Sequence, residues 1–119
     1  MTEQEKMRIV QELVPGKQIT LAHIIAHPDP ILYVKMGLSA DETDTRDAIG
    51  VLTITPAEAA VICADVSMKA SGVELGFVDR FSGTLIVTGT VSQVETALDS
   101  ACTYAREKLG CSVCPLTKT

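Results

Sequence analysis

Tryptophan is absent from this chain of 119 residues, and aromatic residues make up only 3% of it, as two Tyr and two Phe. Without flat aromatic faces there is no platform for stacking bases and no cage for a large cationic ligand. Positive charge is short as well: ten Lys and Arg stand against fifteen Asp and Glu, for a formal charge of -5. Polyanions are held by clustered basic side chains that displace counterions, so this balance argues against nucleic acid. No apolar run approaches the roughly 20 residues that a helix needs to cross a bilayer. The opening M-T-E-Q-E-K-M-R-I-V places acidic residues ahead of any hydrophobic stretch. A soluble, untargeted chain without membrane contact is therefore expected. Cysteine is sparse too, at Cys63, Cys102, Cys111 and Cys114. A chain of this length does not need disulfides for its core, which points to a reducing compartment.

What the chain does have is small aliphatic side chains. Hydrophobic residues reach 46% and charged residues 21%, enough to bury one core and too little charge for disorder. Thr55-Pro56-Ala57-Glu58 reads as a capping box with Pro at the first helical position, and predicts a helix over 56–71 that stops at Gly72. A second box, Ser92-Gln93-Val94-Glu95, predicts a helix whose stripe of Val94, Ala97, Leu98, Ala101, Cys102, Ala105 and Leu109 ends at Gly110. Between them, 73–79 and 84–90 are rich in β-branched and apolar residues around the turn R-F-S-G, which predicts a hairpin. Residues 48–54, A-I-G-V-L-T-I, add a strand before the first helix.

Strand, helix, hairpin, helix over 48–110 lacks one strand of a ferredoxin-like core. The segment after Gly110 is short and broken by Pro115, which limits it to an edge piece. Residues 18–26, Q-I-T-L-A-H-I-I-A, have the stronger strand character. The reading is thus an α+β fold, a ferredoxin-like core in circularly permuted order. Outside it, Met7 to Val14 predicts an extended arm, Pro30 to Met36 a short helix stopped by Gly37, and 39–47 an exposed acidic loop.

Chemistry is thinly represented. Cys111-x-x-Cys114 has the spacing of a redox pair or half a metal site, but no second such pair exists to complete one. His23 and His27 are four apart, on and just beyond a strand instead of on a helix, so structural or interface roles are favoured. Asp41, Asp44 and Asp47 lack the glycine and terminal glutamate of a calcium loop. No Ser or Cys has an identifiable base and orienting partner, and no catalytic set is found. The hairpin tip, with Asp79, Arg80, Phe81, Ser82 and Gly83, is the most unusual short segment.

V-P-G-K-Q-I-T-L-A-H-I-I-A-H-P (14–28), A-I-G-V-L-T-I-T-P (48–56), G-F-V-D-R-F-S-G (76–83) and the closing L-T-K-T resemble a known family. The sequence is similar to the permuted single-domain shell proteins of bacterial microcompartments (BMC), of the ethanolamine-utilisation S and propanediol-utilisation U type. The resemblance covers most of the chain and implies a non-enzymatic structural protein of the shell in the bacterial cytoplasm, without cofactor. It implies homohexamers that tile with other shell proteins, and it leaves cargo-enzyme targeting peptides as a further partner class. It also implies a circularly permuted BMC domain over 17–119 and an arm over 1–16. In that arm Met7, Arg8, Ile9, Val10, Gln11, Glu12, Leu13 and Val14 would join their symmetry mates in a β-barrel capping the hexamer axis. The Asp79 to Gly83 turn would ring the central pore. Lys69, with Asp65 nearby, would lie at the edge between hexamers, beside His27-Pro28, where unpermuted relatives carry Arg-Pro. The longer acidic insertion and the C-S-V-C-P segment depart from the family pattern, and ethanolamine, propanediol and choline compartments all stay open. Two other readings stand beside this one: a ferredoxin-like sensor of a small metabolite, and a metal or redox protein using Cys111 and Cys114.

Overall fold

The computed structural model describes residues 16–38 and 47–119. The arm at Met7 to Val14 and the acidic residues 39–46 lie outside the described residues. In chain order the elements are β1 (Gln18–Ala26), α1 (Pro30–Lys35), β2 (Ala48–Thr55), α2 (Ala59–Ala70) and β3 (Glu74–Asp79). β4 (Thr84–Gly89), α3 (Val91–Lys108), β5 (Ser112–Val113) and β6 (Thr117–Lys118) follow. All strands join one sheet in the order β3-β4-β2-β1-β5, with β6 also paired to β1. β1 runs antiparallel to β2, and β2 antiparallel to β4. The strand at 18–26 therefore fills the place left open by the order over 48–110. The segment after Gly110 supplies only the two short pieces β5 and β6, both parallel to β1.

Alternation along the strands sends one set of side chains toward the long helices. Ile24, Leu52, Ile54, Leu85 and Val87 are buried against Ala60, Cys63 and Ala64 of α2 and the α3 stripe. That stripe is buried from Val94 through Ala105, whereas Leu109 is the half-buried C-cap before Gly110. The missing side chain of Gly50 on β2 lets α3 approach the sheet closely, since a Cβ there would stand 2.7 Å from Val94 Cγ1. On the opposite face α1 lays Tyr33 beside Leu38 and Ile49 in a small second cluster.

Both capping boxes differ from expectation. β2 continues through Thr55, which pairs with Gln18, so this threonine belongs to the ladder and caps nothing. The Thr55–Pro56 peptide is cis, and α2 begins at Ala59 instead of 56. It starts through tight backbone bonds, with Ala59 N–H donating to Pro56 O at 3.0 Å and Ala60 N–H to Ala57 O at 3.0 Å. At α3 the box lies two residues upstream of the expected S-Q-V-E. Thr90 Oγ1 accepts from Gln93 N–H at 3.2 Å, and Gln93 Oε1 accepts from Thr90 N–H at 2.9 Å. The cause is where the strand ends: β4 stops at Gly89, and Thr90 already has the extended backbone of an N-cap. Gly72 and Gly89 make room for Gln93, since a Cβ on either would fall 2.8 or 2.9 Å from its side-chain amide.

Candidate functional site

Strand register sorts the expected site residues into two groups. Gln18 pairs with Thr55, Thr53 with Thr84, and Thr84 with Asp79, so the β3–β4 turn shares one end of the sheet with the start of β1. Ala26 pairs with Ala48, Ala48 with Gly89, and Thr88 with Glu74, which mark the other end. α2 leaves the turn end at Ala59 and finishes at Ala70, four residues before Glu74. Asp79 to Gly83 thus stand at one end. His27, Pro28 and Lys69 stand at the other.

The turn end is shaped by backbone bonds. Gly83 has φ +76°, its N–H donates to Asp79 O at 2.9 Å, and its carbonyl accepts from Ile54 N–H at 2.9 Å. A Cβ there would lie 2.1 Å from Ile54 O, so only glycine fits. Asp79 Oδ1 accepts from Phe81 N–H at 2.8 Å, and this bond, with help from the Ser82 hydroxyl, holds the Asp79 carboxyl below its ordinary range. Ser82 Oγ also lies 3.1 Å from Thr84 Oγ1. The Arg80 guanidinium lies 5.0 Å from the centre of the Phe81 ring. Phe81 itself is 80% exposed, the most exposed large hydrophobic side chain among the described residues. Beside this end, Lys17, Pro56, Glu58, Ala59, Ile62, Leu109 and Cys111 line a pocket of about 210 Å³.

The other end is shaped by side chains. Lys69 Nζ and Asp65 Oδ2 are 2.8 Å apart, one helical turn from each other, and both are largely exposed. The hydrogen bond from Lys69, and then the charge of Asp65, raise the Lys69 pKa. Ser71 Oγ donates to Gln93 O at 2.7 Å and ties the end of α2 to the start of α3. His27 has φ +52°, and its N–H donates to Asp47 O at 2.6 Å. Register brings His27-Pro28 to the same end as Lys69 without an ion pair between them.

The four thiols are free and lie in or against the main core. Burial, then neighbouring Cys111 and Cys102, pushes Cys63 up to about 12, and burial pushes Cys102 up to about 11. Such thiols stay protonated near neutral pH and are poor nucleophiles. Among the described residues no group of three or more His, Cys, Asp or Glu is placed to hold a metal ion. Sequence reading left His23 without a partner. Its Nδ1 lies 2.6 Å from Thr117 Oγ1 and its Nε2 3.0 Å from Thr119 Oγ1. The available signal was the pair of threonines two apart in L-T-K-T, which on an extended segment face the same way.

Comparison with known proteins gives a consistent result. A family model described as BMC domain matches residues 48–116, which leaves β1 outside the matched span. The chain is 47% identical over 112 residues to the bacterial microcompartment shell protein PduU of Salmonella typhimurium, covering 94% of this chain and 93% of that relative. It is 48% identical over 114 residues to the shell protein EutS of the same organism, covering 96% and 98%. Among solved structures it is similar to a CutR flat hexamer, with a TM-score of 0.80 and 44% identity over 91% of this chain and 95% of that one.

Proposed function

The chain belongs to the BMC-domain family of bacterial microcompartment shell proteins, and from that premise we propose that it is a structural shell subunit whose copies close into a hexameric ring. The observation that carries this is the likeness to a CutR flat hexamer along nearly the whole chain. Ring closure by a rotation turns one subunit interface into a closed oligomer, and complementary outer edges extend rings into a layer.

The two ends of the sheet suit the two directions of such a layer. The turn from Asp79 to Gly83 faces the ring axis, where six copies of Arg80 and Phe81 surround the central opening. Lys69, Asp65, His27 and Pro28 lie at the outer edge and meet neighbouring rings of this or other shell proteins. The arm over 1–16 caps the axis as a six-stranded barrel above the 17–119 domain. Its supporting observation is that Lys17, where the domain begins, stands at the turn end beside Gln18. The element order is the permuted one, in which β1 outside the matched 48–116 span completes the sheet. The working place of the protein is the shell of a microcompartment in the bacterial cytoplasm, with cargo-targeting peptides as a further partner class.

Light scattering after gel filtration tests the ring. Six copies of a 12.7 kDa chain give a particle of about 76 kDa, and a variant lacking residues 1–14 is expected to keep six copies. A monomer or dimer at micromolar concentration would overturn the ring. Loss of the hexamer only in the shortened variant would overturn the arm's role as a cap.

A further inference from the structure

The outer edge of β1 is covered in two short pieces. β5 pairs with Gln18 and Ile19, and β6 with His23 and Ile24. Two more backbone bonds extend the second piece: Ala26 N–H donates to Thr119 O and Thr119 N–H donates to Ile24 O, both at 2.9 Å. Between the pieces Pro115 offers no N–H, and Leu21 on β1 is 42% exposed. A parallel ladder this short holds weakly by itself. Cys111, Val113 and Cys114 anchor the first piece in or against the main core, and His23 adds the hold on the second, because its two ring nitrogens meet the hydroxyls of Thr117 and Thr119 at 2.6 and 3.0 Å. The Thr117 hydroxyl donates to Ala22 O at 3.4 Å, which leaves it to accept from Nδ1–H while Thr119 Oγ1 donates to Nε2, one donor and one acceptor as a neutral imidazole supplies. The Lys118 Nζ to Glu95 Oε2 contact at 3.5 Å adds a peripheral tie to α3.

We propose that the outer edge of β1 is a strand-acceptor surface, occupied by the chain's own 111–119 segment under the His23 clasp, and that when the clasp opens the same segment of a second copy takes its place. The occupant follows from the fit already present. Segment 111–119 matches this edge in hydrogen bonding and in side chains, every copy carries it, and exchange therefore needs no new interface. Gly110 supplies the hinge, with φ +71° and nothing within 4 Å of the position of a Cβ. An uncovered edge accepts an added strand through main-chain bonds.

The test uses the full chain with His23→Ala, and a second variant carrying Thr117→Val and Thr119→Val, which removes the hydroxyls and leaves β1 unchanged. The probe is a labelled synthetic peptide of residues 111–119 with serine at both cysteine positions. In both variants the Ala26 amide is expected to lose at least tenfold in hydrogen-exchange protection while the Leu52 amide keeps its own. The threonine variant, whose own segment is weakened while the peptide keeps both hydroxyls for His23, is expected to bind the peptide saturably and at least tenfold more tightly than the unaltered chain does, whereas His23→Ala loses the clasp for peptide and own segment alike and is expected to gain no affinity. A Thr119→Pro peptide, without the N–H that reaches Ile24 O, is expected not to bind. Unchanged protection at Ala26 in both variants overturns the clasp. Lost protection without peptide binding in the threonine variant overturns the acceptor surface.

Discussion

The two ends of the sheet are held by different parts of the chain. At the turn end the backbone does most of the holding, with the Asp79 carboxylate adding a bond to Phe81 N–H: Gly83 bonds to Asp79 and Ile54 through its own N–H and carbonyl, and α2 starts there with no side-chain cap. At the edge end side chains do it: Gln93 and Thr90 cap each other, Gln93 fills the space over Gly72 and Gly89, and Ser71 bonds to Gln93 O. An end fixed by backbone leaves its side chains available, which is why Arg80 and Phe81 project into solvent with no structural duty. An end fixed by side chains has fewer to spare, and offers Lys69 and Asp65 on the outer face of a regular helix.

This contrast predicts where substitution hurts. The largest effect is expected from Gly83→Val, which puts a branched side chain at φ +76° and against Ile54 O. It should cost about 3 kcal/mol, read as a lowered melting temperature, whereas Phe81→Ala beside it should stay within about 0.5 kcal/mol. Equal melting of the two variants would break the contrast. Next comes the pair of threonines before the long helices. Thr90→Ala should cost about 1 kcal/mol by removing a real cap, and Thr55→Ala less than about 0.5 kcal/mol because Thr55 caps nothing. Urea denaturation of both variants checks the order, and a larger loss at Thr55 would refute the assignment of the caps.

The threonines also show what was legible in sequence. The 18–26 strand and the hairpin follow from β-branched and apolar content around turn residues and the α3 stripe from helical spacing, and all three stand where those signals put them. The helix starts were misplaced because T-P-A-E and S-Q-V-E both fit the local pattern, and nothing local says that β2 runs on to pair Thr55 with Gln18. Strand pairing across 37 residues decides that, and no short motif encodes it. The site was legible in the same uneven way. Lys69 and Asp65 are one helical turn apart, so their pairing is local. His23 meets Thr117 and Thr119 only after β6 folds back onto β1.

A smaller effect on folding is expected at the edge. Lys69→Ala removes an exposed, solvent-screened ion pair and should leave subunit stability almost unchanged. If Lys69 serves contacts between rings, the same variant should still form hexamers but lose extended sheets or tubes in electron micrographs. Sheets as abundant as those of the unaltered chain would remove Lys69 from the edge.

Acid and alkali should separate the two ends with the smallest effects of all. Asp79 has a folded pKa below its ordinary 3.8 because it accepts the Phe81 N–H. Its contribution is therefore complete above pH 3.8 and is lost as pH falls through the folded value. Lys69 is the opposite case, with a folded pKa above its ordinary 10.5. Its contribution is complete below pH 10.5 and is lost as pH rises through the folded value. Lys69 is exposed and Asp79 half-buried at the surface, so each change is local: acid should lower the protection of the Phe81 amide, measured against its intrinsic exchange rate at the same pH, without lowering protection at the end of α2, and alkali should do the reverse. Asp79→Asn keeps an acceptor for the Phe81 N–H but has no proton to gain, so it should abolish the acid response and leave the alkaline one intact. Acid loosening that persists in this variant would mean that some other carboxylate governs the turn.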